Sequence, residues 1–462
     1  MSEEKWHQAR LIPTSGISGA EEQERRATSA LLAVMRSVRE FGQAITHTLG
    51  APKGQVETYI EVPFEYGDKT VYPDGLIRVS RGQRTWTALV EVKTGKNELQ
   101  VPQLECYLDV AREQRFDAIL TLSNQIPPAP GLHPTKVDRR KLRAVELHHR
   151  SWTHVLSEAV RQKEHRGVSD PDQAWILGEL IRYLEHPRSG AMDFDDMGQH
   201  WVAVRDAVVA GTLRPADKGV TDVAARFDGL LCFVALQLSR QLGTDVTVVL
   251  SRKESADPTV RSPNLISGLV RHGVLAGTVR IPNTVGLLSI TADLRARQIV
   301  CDVTLDAPTE GRAKTRVNWL VRQLRSAPDD VRIEAAVAHQ RGPGAAELLA
   351  KVRDHPEVLI VDTKKELRSF TVARSHPMGV KRGTGRGSFI DSVVDAVDRF
   401  YREVMQNLKA WTPPPPKLRR PSEAEPTPPE LVSTAQSSQD EPATALTTEG
   451  SPAAASHGDA TG

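Results

Sequence analysis

Cysteine is scarce in this 462-residue chain: Cys106, Cys232 and Cys301 lie far apart, which excludes a paired disulfide framework and C-x-x-C zinc spacing. They read as reduced thiols, mostly buried. Long apolar runs are missing too. The densest, Leu230 to Leu238, is about half of the ~20 residues a membrane span requires, so no membrane partner is expected. The N-terminus, MSEEKWHQAR, has no apolar stretch ahead of a small-residue cleavage site, and the cytoplasm is the expected location. There is no internal repeat. Net charge is nearly absent overall, at +2, but its distribution is uneven. From Thr412 onward three Lys/Arg stand against seven Asp/Glu, so residues 1–411 carry +6, a mildly basic body compatible with nucleic acid.

With 39% hydrophobic and 26% charged residues the chain has an ordinary globular composition. Its length leaves room for two or three folded units. The last 51 residues hold ten of the 30 prolines and no Phe, Trp or Tyr, too little apolar surface to offset the entropy of ordering them. Residues 412–462 are therefore expected to be a disordered Pro/Ser/Thr/Ala-rich tail. The remainder reads as α/β: a first domain over 19–165, a helical connector over 166–215 and a second α+β domain over 216–411.

In the first domain, Ala27, Leu31, Val34, Val38, Phe41 and Ile45 recur at spacings of three and four, the stripe of one amphipathic helix from about Ala20 to Leu49. Strand-like runs follow at Val56 to Glu65, Thr70 to Val79 and Thr85 to Val92. A helix over Val101 to Gln114 leads to strands at Phe116 to Leu122 and Ala144 to His149, and another helix begins near Trp152. The order is helix, three strands, helix, strand, strand. In the second domain the long helix ending at Leu242 precedes strands at Gly277 to Ile281, Leu287 to Leu294, Gln298 to Leu305, Val331 to Ala338 and Val358 to Asp362, with a closing helix over Phe389 to Leu408.

The chemistry concentrates in Tyr72-Pro73-Asp74-Gly75 and Leu89-Val90-Glu91-Val92-Lys93. A hairpin turning between Gly82 and Gln83 has its midpoint halfway between positions 74 and 91, which would put Asp74 opposite Glu91 with Cβ atoms within ~6 Å. Strand alternation places Glu91 and Lys93 on one face. Two carboxylates in an apolar strand are costly to bury unless a cation joins them. Oxygen ligands favour Mg²⁺ or Mn²⁺, and a hydrated ion of this kind, with Lys93 orienting or deprotonating the attacking water or neutralising developing charge, suits phosphodiester hydrolysis.

These residues resemble the PD-(D/E)XK nuclease superfamily, the restriction-endonuclease-like fold. Pro73-Asp74 matches its PD element and Glu91-Val92-Lys93 its (D/E)XK element. Gln103 and Tyr107, in Gln103-Leu104-Glu105-Cys106-Tyr107, match the Q-x-x-x-Y element of its exonuclease-like branch. The similarity covers about 140 residues. It implies that Asp74, Glu91 and the carbonyl of Val92 hold Mg²⁺ or Mn²⁺, that Lys93 is catalytic, and that Gln103 and Tyr107 position the site or the nucleic acid. Family members often add a glutamate from the first helix. Extending the apolar stripe back by three from Ala27 reaches Glu24, preferred over Glu21 and Glu22. The implied function is a metal-dependent nuclease, with DNA favoured over RNA as substrate, in repair or defence. The alternative is a non-catalytic stress-response or nucleic-acid- or protein-binding protein on the same fold.

Other signals are weaker. Lys96 and the cluster Arg139, Arg140 and Lys141 could bind phosphates, or simply be solvated. His148 and His149 read as ordinary strand-end residues. Asp193, Asp195, Asp196 and His200 look like hard-metal ligands, but Asp195 or Asp196 capping a helix from Met197 is the preferred account. The basic glycine-rich run Lys381 to Gly387 lacks the Gly-Lys-Ser/Thr phosphate-loop pattern and reads as a flexible loop. Around Arg316, the apolar residues read as core and the arginines as their rim. The second domain offers no catalytic constellation, and a partner protein or ligand remains open for it.

Overall fold

The structure, a computed structural model, describes residues 10–14, 17, 19–125, 127, 132–340, 342–363, 365–413 and 415. The expected tail over 412–462 therefore lies almost wholly outside the described residues. Where the pattern predicts one opening helix there are two, α1 (Ala20–Ser37) and α2 (Arg39–His47), parted at Val38, whose backbone is extended at φ −104° and ψ 94°. The apolar stripe continues through the break because Val38 itself is fully buried. Gly42 lets the two segments close up: a Cβ built there would stand 2.1 Å from the carbonyl oxygen of Met35. Helix propensity alone would make Gly42→Ala stabilising by ~1 kcal/mol. The backbone clash reverses the sign, and we expect a loss of about 1–3 kcal/mol in urea unfolding; an unchanged midpoint would refute the close approach.

A five-stranded sheet follows, in the order β1 (Gln55–Ile60), β4 (Gly75–Arg81), β5 (Arg84–Val92), β6 (Ala118–Ser123) and β7 (Glu146–Ser151). The first three strands are antiparallel and the last three parallel. Two predicted strands are interrupted. The run from Val56 breaks at Glu61, which takes a positive φ of 49°, and the run to Val79 breaks at Pro73, which has no N–H to donate to a ladder. The residues between form a side ribbon, β2 (Phe64–Tyr66) paired with β3 (Lys69–Val71). Helix α3 (Val101–Glu113) connects β5 to β6.

Alternation sorts the two faces of this sheet. Ile77, Val79, Val90, Val92, Leu120 and Leu122 pack with α1, α2, α4 (Trp152–Val160) and α5 (Pro171–Leu184). Leu76, Leu89 and Ile119 pack with α3 and the side ribbon on the other face. The stretch read as a connector is shared between cores: α5 joins the first sheet, while Trp201, Val204 and Val208 of α6 (Trp201–Val209) join the second. Asp196 does not cap α6, which begins at Trp201 after His200; its Oδ1 accepts from the Gly198 N–H in the preceding turn.

The second sheet is antiparallel, in the order β13 (Ala345–Leu348), β12 (Arg332–Val337), β14 (Leu367–Pro377), β11 (Gln298–Asp306), β10 (Leu288–Asp293), β9 (Val274–Arg280) and β8 (Thr247–Val249). Its helices are α7 (Val220–Leu242), α8 (Arg252–Ala256), α9 (Arg261–His272), α10 (Ala313–Gln323), α11 (Leu349–Asp354) and α12 (Phe389–Glu403). The predicted strand over 358–362 is absent, since Pro356 opens a short 3₁₀ turn through Leu359. The interior strand β14 escaped the sequence reading because it buries Ser369 and His376 among its apolar residues. Among the described residues no helix is long and apolar enough to cross a membrane.

Candidate active site

The hairpin supplies the geometry. Arg81 pairs with Arg84 and Gly75 with Val90 around the two-residue turn Gly82-Gln83, so the ladder points Asp74 toward Glu91. Asp74 lies just before β4, where its Oδ2 accepts from the Val92 N–H at 2.7 Å. Glu91 is 1% exposed, in a strand whose last seven residues are all buried. Neither of its oxygens has a hydrogen-bond partner of good geometry, although Lys93 Nζ stands 2.6 Å from Oε1 as an ion pair. Burial, followed by the neighbouring charge of Asp74, raises the Glu91 pKa to about 8 against the pull of Lys93. Asp74 is also raised, by burial. Near neutral pH the pair therefore retains a proton when Lys93 is its only cation.

Lys93 is the hub. Its ammonium reaches the Val92 carbonyl at 3.1 Å and Glu24 Oε2 at 3.5 Å as well as Glu91. Burial works against its charge, but Glu91, Glu24 and Asp74 together hold its pKa above the usual value. The strand end carrying it is pinned by Trp152 Nε1 donating to the Lys93 carbonyl at 2.9 Å and by the Lys93 N–H donating to Leu122 O at 2.7 Å. Glu24 is thus brought to the site from α1, as the helix phase implies. Its Oε1 accepts from Asn97 Nδ2 at 2.6 Å and from the Thr94 N–H at 3.4 Å. Glu21 instead pairs with Arg25, and Glu22 with Arg26.

On α3, Gln103 Nε2 donates to the Tyr107 hydroxyl at 3.2 Å, and that hydroxyl donates to the Tyr72 carbonyl at 3.2 Å. The Q-x-x-x-Y pair thereby anchors the residue two before Asp74. Burial and the Glu91 charge push the Tyr107 hydroxyl pKa up, so it acts as a hydrogen donor and not a base. The basic residues are dispersed. Lys96 lines a cleft of about 770 Å³ with Asn97, Asn124, Phe194 and Arg226. Lys141 is tied to Asp109 at 2.5 Å and to the Glu105 carbonyl, while Arg139 and Arg140 lie exposed in the same loop.

Sequence reasoning missed Asn97, which has no periodic signal to mark it, and the polar row beside Glu91. The ladders align Glu91 with Thr121 and Thr121 with His149. Thr121 Oγ1 lies 3.0 Å from His149 Nδ1 and 2.9 Å from His133 Nε2. Burial lowers the His149 pKa to about 3, so the row is neutral at physiological pH. The row emerges only from the register of three parallel strands, β5, β6 and β7. Among the described residues, no three His, Cys, Asp or Glu side chains gather to hold one metal ion. Compared with known proteins, the chain matches no family model and no curated sequence.

Proposed function

We propose that the chain is a metal-dependent nuclease of the PD-(D/E)XK type, built on a restriction-endonuclease-like first sheet and cutting phosphodiester bonds, with DNA favoured over RNA. The observation that carries this reading is Glu91: a buried carboxylate beside Asp74, without a well-formed hydrogen bond and with Lys93 as its ion-pair partner. A buried acid pair of this kind fits a divalent cation. Asp74, Glu91 and the Val92 carbonyl would hold Mg²⁺ or Mn²⁺, and the ion would polarise the phosphoryl group and acidify a bound water.

The other residues have separate tasks. Lys93 presents positive charge to the non-bridging oxygens as charge builds up on the phosphoryl group, and Glu24 with Asn97 restrains its position. Tyr107 and Gln103 hold the backbone ahead of Asp74. Water oxygen attacks phosphorus and its proton passes to bulk water, the ester P–O bond breaks, and the departing oxygen takes up a proton from bulk water. Purified full-length chain incubated with single-stranded and duplex DNA and RNA plus Mg²⁺ or Mn²⁺ is expected to cleave at least one substrate, with the Lys93→Ala variant slowed about 10²- to 10³-fold. Cleavage by that variant at the parental rate would overturn the catalytic assignment.

One observation favours a second reading. Lys93 already compensates Glu91 internally, and two carboxylates fall short of a preassembled three-ligand centre. A non-catalytic scaffold that binds nucleic acid or protein would show salt-sensitive binding without cleavage of any substrate.

A further inference from the structure

Only three large aromatic side chains are exposed among the described residues: Tyr59 at 41%, Tyr72 at 58% and Trp175 at 54%. Two of the three lie within a few residues of Asp74, one along the chain and one across the ladder. Tyr72 precedes Asp74 by two residues, ~7 Å of extended chain. Tyr59, on the edge strand β1, pairs with Leu76, two residues beyond Asp74, and shares the sheet face that carries Leu76 and Leu89. Burying either ring would gain free energy, so leaving both in water beside a buried ionic centre calls for an explanation.

Both tyrosines are held in place. The Tyr72 carbonyl accepts the Tyr107 hydroxyl, which fixes the backbone from which its ring projects. The Tyr59 hydroxyl donates to Glu57 at 3.3 Å, and the Arg78 guanidinium lies 5.9 Å over its ring, adding a cationic plane to the platform. Aromatic rings and an arginine plane beside a phosphodiester site are a surface for unpaired bases. A continuous duplex keeps its bases stacked on one another and has none to offer.

We infer that Tyr72, with Tyr59 and Arg78, forms a stacking platform for unpaired nucleobases, so that the substrate of the proposed site is a single strand or a frayed end and not continuous duplex. This rests on the nuclease reading. Tyr72 is a positioning residue that seats the strand next to Asp74 and Glu91.

The test is fluorescence anisotropy of the full-length chain with a labelled 15-nucleotide DNA, single-stranded or annealed into duplex, in EDTA. The single strand is expected to bind at least ~10-fold tighter than the duplex, and Tyr72→Ala to weaken it by ~5- to 100-fold without changing duplex binding. Tyr72→Trp should restore binding, and 2-aminopurine in the single strand should be quenched by the parent protein and by Tyr72→Trp but not by Tyr72→Ala. Equal binding of both forms, no binding, or a Tyr72→Ala variant that binds like the parent would overturn the platform. Metal-dependent cleavage alongside any of those results leaves the nuclease reading standing. A single-strand preference lost in Tyr72→Ala, in a protein that never cleaves, leaves the platform standing and removes the nuclease.

Discussion

In the absence of divalent metal, Glu91→Gln should melt at a higher temperature than the parent protein at pH 8 to 9, and it should lose the stabilisation that Mn²⁺ gives the parent. The folded pKa of Glu91, about 8, lies above the unfolded value of 4.5. Its contribution to stability is therefore complete below pH 4.5 and disappears as pH rises through about 8, because the unfolded chain ionises first. A shift of this size corresponds to a few kcal/mol across that window. Glutamine keeps the shape and cannot ionise, so the pH dependence of the melting curve should flatten. If the proposed cation binds, it should reverse the slope by stabilising the ionised pair. At 100 times its Kd, an ion binding only the folded state adds about 2.7 kcal/mol, enough to raise Tm by several degrees. Parallel melting curves for the two proteins from pH 5 to 9 would show that Glu91 is not as buried as the structure has it.

The second large effect is kinetic. Lys93→Ala removes the ammonium that lies among Glu91, Glu24 and the Val92 carbonyl. Loss of a preorganised charge facing the developing oxyanion costs about 10²- to 10³-fold in rate. Asp74→Asn should cost at least as much, since it would weaken the proposed cation site and changes the group that accepts from the Val92 N–H. Glu24→Gln is the informative contrast. It keeps an acceptor for Asn97 while dropping the distant charge on Lys93, and its rate should fall by about tenfold or less. A Glu24→Gln loss equal to that of Asp74→Asn would move Glu24 from positioning Lys93 to holding the metal.

The parts of the site that could be read in the sequence are those fixed by strand geometry. A two-residue turn at Gly82-Gln83 and period-two alternation determine which residues face one another, so Asp74, Glu91 and Lys93 could be placed together before any coordinates. Helix phase carried Glu24 to the same point, although the helix it was extrapolated along is broken at Val38. That break is C-terminal to Glu24 and leaves the phase at Ala27 untouched. Gln103 and Tyr107 share a helix face by their spacing of four, but the acceptor of the tyrosine hydroxyl, the Tyr72 carbonyl, is set by tertiary packing.

Other features were hidden for physical reasons. Asn97 reaches Glu24 from a loop, where no periodicity constrains a side chain. The row from Glu91 through Thr121 to His149 depends on the register of parallel strands whose crossovers are long, and no turn fixes it. In the second sheet, β14 is interior yet carries Arg368, Arg374 and His376, so its composition conceals its position, while the apolar run after Pro356 had the look of a strand and folded as a turn. Lys141 looked like a free cation in a basic run, but its ammonium is engaged by Asp109, which the Tyr66 hydroxyl also contacts.

The most direct measurement is a calorimetric titration of Mn²⁺ into the full-length chain at pH 7.5, in buffers of differing ionisation enthalpy, for the parent protein and for Asp74→Asn and Glu91→Gln. One saturable ion per chain is expected, with release of close to one proton and loss of both signals in each variant. Saturable binding that survives both substitutions, or a parent protein that takes up no ion, would contradict the proposed cation site.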